Sequence, residues 1–352
     1  MYYQLTSKTY CYYLSQIMKW DSFVDVIQKI SAGTSIFLNL VLTFLIIKKS
    51  PKQLGSYKYL MIYISWFEIL YSIIDVVISP IMFSDSSLVV VMIHKTAFLN
   101  RKSYWISLIL VAIYCACFGT SMGMFGIHFI YRYLVSNGSN YLKTFDDYRI
   151  IFWMLFPVAS GSIWGSICYF MLAPSDAMNQ RLSKKVMLTF GWEIEDVAYL
   201  GPYFYQIQPD GSYIIDISSV LGVGIAWLFL FSSLIAIFYC GIRCYLNLTQ
   251  VMNIKTNDKN VSKNFKNLQA QLFNALVTQT AIPVILMHIP LSIVILFSYI
   301  DKDLGTLSGI SSITIALFPA LDPLPSMFII QNYRKTIFGL FKITKVISIN
   351  KK

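Results

Sequence analysis

Charge is what this sequence has least of. Only 13% of its 352 residues are Asp, Glu, Lys or Arg, while 56% are hydrophobic. A soluble domain carries about 25% charged and about 45–50% apolar residues. So few ionic groups exclude a water-facing surface around a chain of this length, and most of it must face lipid or protein. Histidine is scarce too, at three residues. That leaves no metal-ligand spacing, and there is neither a phosphate-cradling glycine loop nor a nucleophile motif. An enzyme is not expected and no cofactor is implied. The six cysteines form no metal pattern. Cys115 and Cys117 point to different sides of a helix, and Cys240 and Cys244 share a face near a helix end, which reads as small buried or lipid-facing thiols. Met1 to Trp20 has no continuous apolar stretch and no small-residue cleavage site, so it does not read as a signal peptide, and the first span serves as its own insertion signal.

What the chain does have is apolar runs of the roughly 20 residues a bilayer span needs. Seven are expected, at about Val24–Ile47, Tyr57–Ile81, Lys102–Tyr133, Tyr148–Leu172, Ser218–Leu246, Leu268–Tyr299 and Leu307–Ile330. Between them lie a loop from Phe83 to Arg101, the longest loop from Ala173 to Ile217, and a polar loop from Asn247 to Lys266. The fold class is therefore an all-α membrane bundle of seven spans. It divides into an extracellular segment 1–22, the bundle 23–330, and an amphipathic helix with cytoplasmic tail 331–352.

Orientation follows from the basic residues. Lys48, Lys49, Lys52 and Lys58 follow the first span, Arg243, Lys255, Lys259, Lys263 and Lys266 surround the loop after the fifth, and Arg334, Lys335, Lys342, Lys345, Lys351 and Lys352 fill the tail. The longest loop instead carries Asp176, Glu193, Glu195, Asp196, Asp210 and Asp216 against Arg181, Lys184 and Lys185, and Asp301 and Asp303 flank Lys302 after the sixth span. The loop between the second and third spans, with Lys95, Arg101 and Lys102, is a mild exception. The N-terminus is placed outside. The net charge of +11 then reflects basic inner loops against anionic lipid, not a nucleic-acid surface. The sequons at Asn137, Asn247 and Asn260 fall on the inner side and should stay bare.

Several residues stand out. His128-Phe-Ile-Tyr-Arg132-Tyr ends the third span. Arg132 either snorkels to the interface or acts as a switch that holds an inactive packing and meets a partner after activation; His128, four residues earlier on the same face, reads as a hydrogen-bonded packing residue. Glu68 and Asp75 share a face of the second span, and Asp322-Pro323 lies in the seventh. Intramembrane acids cost at least about 2.5–3.5 kcal/mol and persist when paired, protonated or hydrated. Asp75 and Asp322 are read as a buried polar pair that either holds a proton or shares a sodium ion. Pro283, Pro290, Pro319, Pro323 and Pro325 interrupt the sixth and seventh spans, as bends or as pivots. Pro209-Asp210-Gly211 between alternating aromatic and aliphatic residues predicts a β-hairpin lid over the outer mouth. Tyr333, Ile337 and Phe341, flanked by basic residues, predict a short helix on the inner membrane surface.

Four stretches resemble a known family. They are Leu54-Gly-Ser-Tyr57-Lys-Tyr-Leu-Met61; Tyr114-Cys-Ala-Cys-Phe118 with His128-Phe-Ile-Tyr-Arg-Tyr133; Leu268-Gln-Ala-Gln-Leu-Phe-Asn-Ala-Leu276 with Gln279-Thr-Ala-Ile-Pro283; and Pro319-Ala-Leu-Asp322-Pro323-Leu324 leading to Tyr333-Arg334-Lys335-Thr336-Ile337. In order and spacing they are similar to nematode chemoreceptors of the Str group, also called serpentine receptor class r, over roughly residues 23 to 342. The resemblance implies a G-protein-coupled, olfactory-type chemoreceptor. It would bind a small odorant or pheromone and act on a heterotrimeric G-protein α-subunit, in the plasma membrane of a sensory neuron's cilium. By position, Arg132 stands where rhodopsin-like receptors keep their switch arginine, and Asp322-Pro323 stands where their Asn-Pro motif begins, with Ser326 in place of its tyrosine. No cysteine lies between Ala173 and Ile217, so the usual disulfide to the outer loop cannot form. Met1 to Ser22 is longer than the family's usual start.

The ligand is expected between the outer halves of the third, fifth, sixth and seventh spans, with Phe118, Trp227, His288 and Tyr299 as candidates from depth. The G protein is expected at the inner ends of the third, fifth and sixth, where Arg132, Arg243, Lys263 and Lys266 line or rim a groove, with His128, Asp322 and Pro323 in the switch. Two other classes compete: an inverted seven-helix ligand-gated channel, against which the basic-residue asymmetry argues, and a small-molecule transporter, for which related halves are lacking.

Overall fold

The computed structural model describes residues 2–94, 104–207, 212–253 and 263–339, with the backbone alone for 2–21, 207, 251–253 and 263–264. Among them, seven helical stretches are long and apolar enough to cross a membrane: Ser22–Lys49, Tyr57–Ile78, Tyr104–Ser136, Asp147–Met171, Ile217–Gln250, Phe265–Tyr299 and Gly305–Ile329. These match the apolar runs read from the sequence. We number the helices α1 (Tyr2–Lys49), α2 (Tyr57–Ile78), α3 (Tyr104–Ser136), α4 (Ile150–Met171), α5 (Asp176–Phe190), α6 (Ile217–Asn253), α7 (Lys263–Pro283), α8 (Ile289–Tyr299), α9 (Ile310–Leu321) and α10 (Pro323–Ile329). A π turn, Val284–His288, joins α7 to α8 in the sixth span. Asp322 separates α9 from α10 in the seventh. In the described part of segment 1–22 the backbone is helical and continues α1 from Tyr2.

The bundle turns its polarity inward. Phe37, Trp66, Trp105, Phe152, Phe170, Leu228 and Ile235 are exposed on its perimeter, while Ser31, Ser35, Asn39, Ser72, Ser311 and Ser312 are buried. In a bilayer that arrangement is favourable, since lipid accepts the apolar side chains and the small polar ones bond between helices. Ser72 donates to Ser35 at 2.7 Å and Asn39 to the Pro319 carbonyl at 3.1 Å, tying the first span to the second and seventh. α3 and α4 approach closely at Gly161, where a Cβ would overlap Thr120 and the Ala116 carbonyl.

One end of the bundle is capped. The second span stops at Ile78, three residues before the expected edge. Pro80 cannot continue the helix and Ser79 adopts a left-handed conformation at φ 42°. Ile81 then enters β1 (Ile81–Asp85), which pairs antiparallel with β2 (Leu88–His94), and β2 pairs antiparallel with β3 (Val197–Leu200). The loops expected over Phe83–Arg101 and Ala173–Ile217 are thus corrected over their described parts to a three-stranded sheet and the helix α5. Alternation along the strands explains the sheet's place. Ile81, Phe83, Leu88, Val90, Met92, Val197 and Tyr199 face Met178, Leu182, Val186 and Phe190 of α5. Met82, Val89, Val91 and Leu200 face the bundle. Ser175 caps α5, accepting from the Met178 amide at 3.3 Å, and Gly191 ends it at φ 70°. Asp85, buried, accepts from Arg181 at 2.8 Å and from Lys185 at 2.9 Å. The expected hairpin is present as β4 (Tyr205–Ile207) paired with β5 (Tyr213–Ile215). Its Pro209-Asp210-Gly211 turn lies outside the described residues.

At the opposite end, residues 331–339 are helical. Tyr333 and Ile337 are buried against Leu54, Tyr57 and Leu272, and Phe341 lies outside the described residues. The Tyr333 hydroxyl meets Ser50 Oγ at 2.6 Å. Burial pushes its pKa up to about 12, against the lowering effect of that bond, so it is a phenol at neutral pH.

Candidate functional site

Beneath the sheet lies a cavity of about 90 Å³. α3 contributes Cys115 and Phe118; α4 contributes Trp164 and Cys168, with Leu172 just past its end; α6 contributes Val223, Ala226, Trp227 and Leu230; the sixth span contributes His288, Leu291, Ser292 and Ile295. The roof is Met82, Val89, Val91 and the segment Leu200-Gly201-Pro202. Gly201 is required there, because a Cβ would overlap the Val89 carbonyl. The roof is stitched down by Gly201 N–H to the Leu172 carbonyl, Val89 N–H to the Pro202 carbonyl and Tyr203 N–H to Ser219 Oγ, each at 3.0 Å. Phe118, Trp227 and His288, which depth alone singled out, share this one cavity. Tyr299 stands apart at the end of α8, half exposed, its ring 5.4 Å from that of Phe204. The cavity also differs from the expected cleft, since its lining comes from the fourth span and the roof, not the seventh.

Pro283 and Pro290 each lack an amide donor; the π turn lies between them, and its last residue, His288, lines the cavity. Its ring meets Phe118 edge-on at 6.4 Å.

Below the cavity lies a polar core. Gln279 of α7 donates from Nε2 to both the backbone carbonyl and Oδ2 of Asp322, at 3.0 Å each, and Ser326 donates to Gln279 Oε1 at 3.0 Å. Facing Asp322 is Glu68, which also neighbours Asn39. The expected pairing of Asp75 with Asp322 is thereby corrected: Asp322 meets Glu68, and Asp75 meets the Tyr114 hydroxyl. Seven residues put Glu68 and Asp75 on one face but about 10.5 Å apart along the axis. Asp322 sits at the depth of Glu68. Among the described residues, no three His, Cys, Asp or Glu side chains gather as a metal site.

Toward the uncapped end Arg132 is buried, not snorkelling. Its Nη1 donates to Gln269 Oε1 of α7 at 2.7 Å, and its guanidinium lies 3.5 Å from the Tyr57 ring centroid. The Tyr57 hydroxyl meets His128 Nδ1 at 3.1 Å, and the Tyr57 ring stacks on Tyr131 at 5.2 Å. Among the described residues, then, the arginine is held by a carboxamide and aromatic faces rather than by a carboxylate. Arg243 is exposed, its guanidinium 5.9 Å from the Tyr239 ring. Lys266 is half-buried at the start of the sixth span, and the side chain of Lys263 lies outside the described residues. Sequence reasoning missed Gln269 and Gln279. α7 also carries Lys266, Asn267, Gln271, Asn274 and Thr278, so polarity alone did not mark them out; burial does.

Comparison with known proteins identifies the family. A family model described as serpentine type 7TM GPCR chemoreceptor Str matches residues 24–338. The chain is 34% identical over 317 residues to G-protein coupled receptor str-217 of Caenorhabditis elegans, covering 90% of this chain and 89% of that protein. It is 30% identical to Serpentine receptor class r-10 of Caenorhabditis elegans, over 91% of each. Against Serpentine receptor class r-10 of Caenorhabditis briggsae it is 31% identical, over 94% of each.

Proposed function

Because the chain belongs to the Str family of seven-transmembrane serpentine chemoreceptors and is a multi-pass membrane protein, we propose that it binds a small odorant or pheromone in the capped cavity and passes the event to a heterotrimeric G protein at the opposite end. The cap is extracellular and the N-terminus lies outside, on the strength of Lys48, Lys49, Lys52, Lys58, Arg243, Arg334 and Lys335 at the uncapped end. The expected site is the plasma membrane of a sensory neuron's cilium.

The observation that carries this reading is the sixth span. One continuous element bears the cavity wall at His288, Leu291, Ser292 and Ile295, the hinge at Pro283 and the π turn, the polar core contact at Gln279, and the hold on Arg132 at Gln269. Ligand seated against α8 favours one of two packings. From Pro283 to Gln269 is about 21 Å of helix, so a 10° swing of α7 displaces Gln269 by about 4 Å. That exceeds what a hydrogen bond tolerates. Arg132 is then released, and the ends of α3, α6 and α7 open a groove for a helix of the Gα subunit. Arg132 meets that helix, with His128 and Tyr57 orienting it, and Arg243, Lys263 and Lys266 on the rim. Asp322-Pro323 and Glu68 form the second restraint. Two facing carboxyls in a dry core need a proton or a small cation between them, and the neighbourhood of Gln279 and Asn39 favours the pair's persistence in the resting packing. Phe118, Trp227 and His288 contact ligand, and Tyr299 steadies the roof through Phe204.

The test is nucleotide exchange on a purified Gα subunit by the receptor in lipid nanodiscs, under a panel of small volatile compounds. Exchange that rises with ligand, and fails to rise in Arg132→Ala at equal ligand binding, is the expected result. Ligand-evoked current in bilayers without G protein would instead indicate a channel.

A further inference from the structure

The β4–β5 hairpin has no part in the cavity. The three-stranded sheet and the segment Leu200-Gly201-Pro202 close the mouth, and none of the described hairpin residues lines it. Tyr205, Gln206 and Ile207 pair with Ile215, Ile214 and Tyr213. The ribbon joins no other described strand and packs closely on no described helix. A two-stranded ribbon by itself is marginal at best in water. Water is also a poor surrounding for β5. Tyr213, Ile214 and Ile215 are each more than half exposed, although successive residues point to opposite faces. A contiguous exposed apolar patch marks an interaction surface. The patch continues past the strand: Ile217, Leu221, Ile225 and Leu228 share one face of α6 and are all exposed. In a protein whose seven spans cross a bilayer, that face meets lipid.

We propose that the hairpin is a membrane anchor, with Tyr213, Ile214 and Ile215 immersed at the boundary between headgroups and acyl chains of the leaflet at the capped end. The depth follows from α6. From Arg243, exposed toward the uncapped end, to Ile217 is about 39 Å of helix. A hydrocarbon core is about 30 Å thick, and a bilayer with its headgroups about 40–45 Å. With Arg243 at one boundary of the core, Ile217 lies just past the other. The chemistry there suits the headgroup layer. Asp216 caps α6, its carboxylate accepting from the Ser219 amide at 2.9 Å, and hydrocarbon would not hold that charge. A ribbon of two strands has two open edges, whose backbone groups headgroups and water satisfy and acyl chains cannot. Tyrosines are enriched at this level. Tyr205 and Tyr299 meet with ring centroids 6.1 Å apart, and Tyr213 is exposed on the neighbouring strand. Lipid thus supplies the partner that the ribbon lacks in water. Through Phe204 and Tyr205 the anchored ribbon also steadies Tyr299 at the end of α8.

The anchor requires only that the spans cross a bilayer; it is independent of ligand and G protein. The full-length protein in phosphatidylcholine nanodiscs is spin-labelled at Ile214→Cys or Ile215→Cys, and the signal of identically treated wild type is subtracted. Collision with oxygen, which concentrates among acyl chains, is compared with collision with a nickel chelate, which stays in water. Leu228→Cys on the lipid-facing side of α6 and Lys184→Cys on the exposed side of α5 give the two reference ratios. Both hairpin labels are expected to favour oxygen as the Leu228 label does, at about 5–10 Å into the boundary. Adding Tyr213→Lys and Ile215→Lys beside the label at 214 should lift the ribbon and shift its ratio toward that of the Lys184 label. Hairpin labels that favour the nickel chelate place the ribbon in water and overturn the anchor. Labels reached by neither reagent place it against protein, either the bundle or a second copy, and overturn it equally. A label that stays with oxygen in the double-lysine variant shows that these side chains do not hold the ribbon in lipid.

Discussion

The hold of Gln269 on Arg132 offers the sharpest perturbation. The bond is 2.7 Å long, between a buried guanidinium and a carboxamide oxygen. Hydrogen bonds to charged groups contribute about 1.5–3 kcal/mol. If the bond belongs to the resting packing alone, Gln269→Leu shifts the equilibrium toward the active packing by roughly 10- to 150-fold. A receptor with about 1% active population would rise to roughly 10–60% without ligand. Gln269→Glu acts in the opposite direction, since it places a carboxylate where the carboxamide was and strengthens the hold. The assay is ligand-independent nucleotide exchange on Gα per receptor in nanodiscs, with receptor amount fixed by an epitope tag. Leucine should raise the basal rate and lower the ligand concentration for half response, and glutamate should do the reverse. Two variants that move the basal rate the same way, or not at all, refute the lever.

Three further outcomes follow from the same geometry. Glu68→Gln and Asp322→Asn should each raise basal exchange, whereas Asp75→Asn, whose carboxyl meets Tyr114 rather than Asp322, should change it less; equal effects across all three would sink the assignment. Asp85→Ala removes the buried acceptor shared by Arg181 and Lys185 and should loosen the cap, faster ligand release and easier proteolysis of α5 being the readouts; unchanged release would show that the sheet alone holds the roof. Gly201→Ala drives a methyl into the Val89 carbonyl and should lower ligand affinity at normal surface expression, measured by saturation binding.

Hydropathy made the spans legible because a lipid-facing helix must be apolar over its whole length, as Phe37, Trp66 and Phe152 illustrate. The β4–β5 hairpin was legible because Pro-Asp-Gly has few other uses between alternating residues. The cap sheet was not. Ile81 and Met82 continue the apolar run of α2 without a break in composition, and only Pro80 marks the change. α5 was hidden by its charges, since Arg181, Lys184 and Lys185 resemble loop residues until Met178, Leu182, Val186 and Phe190 are seen on one face. At the site, three of the four candidate ligand residues converged because depth along a span is readable. Glu68 was missed as the partner of Asp322 because the relative depth of two helices is set by packing, not by either sequence. The π turn left only its flanking prolines as a trace.

The central claim is that a molecule in the capped cavity drives exchange at the far end. Its most direct test is ligand-stimulated nucleotide exchange on Gα by the wild-type receptor and by Ala226→Trp, side by side in nanodiscs. Stimulation of the wild type and none of the filled variant, at equal receptor amounts, is the predicted result; equal stimulation of both would contradict the account.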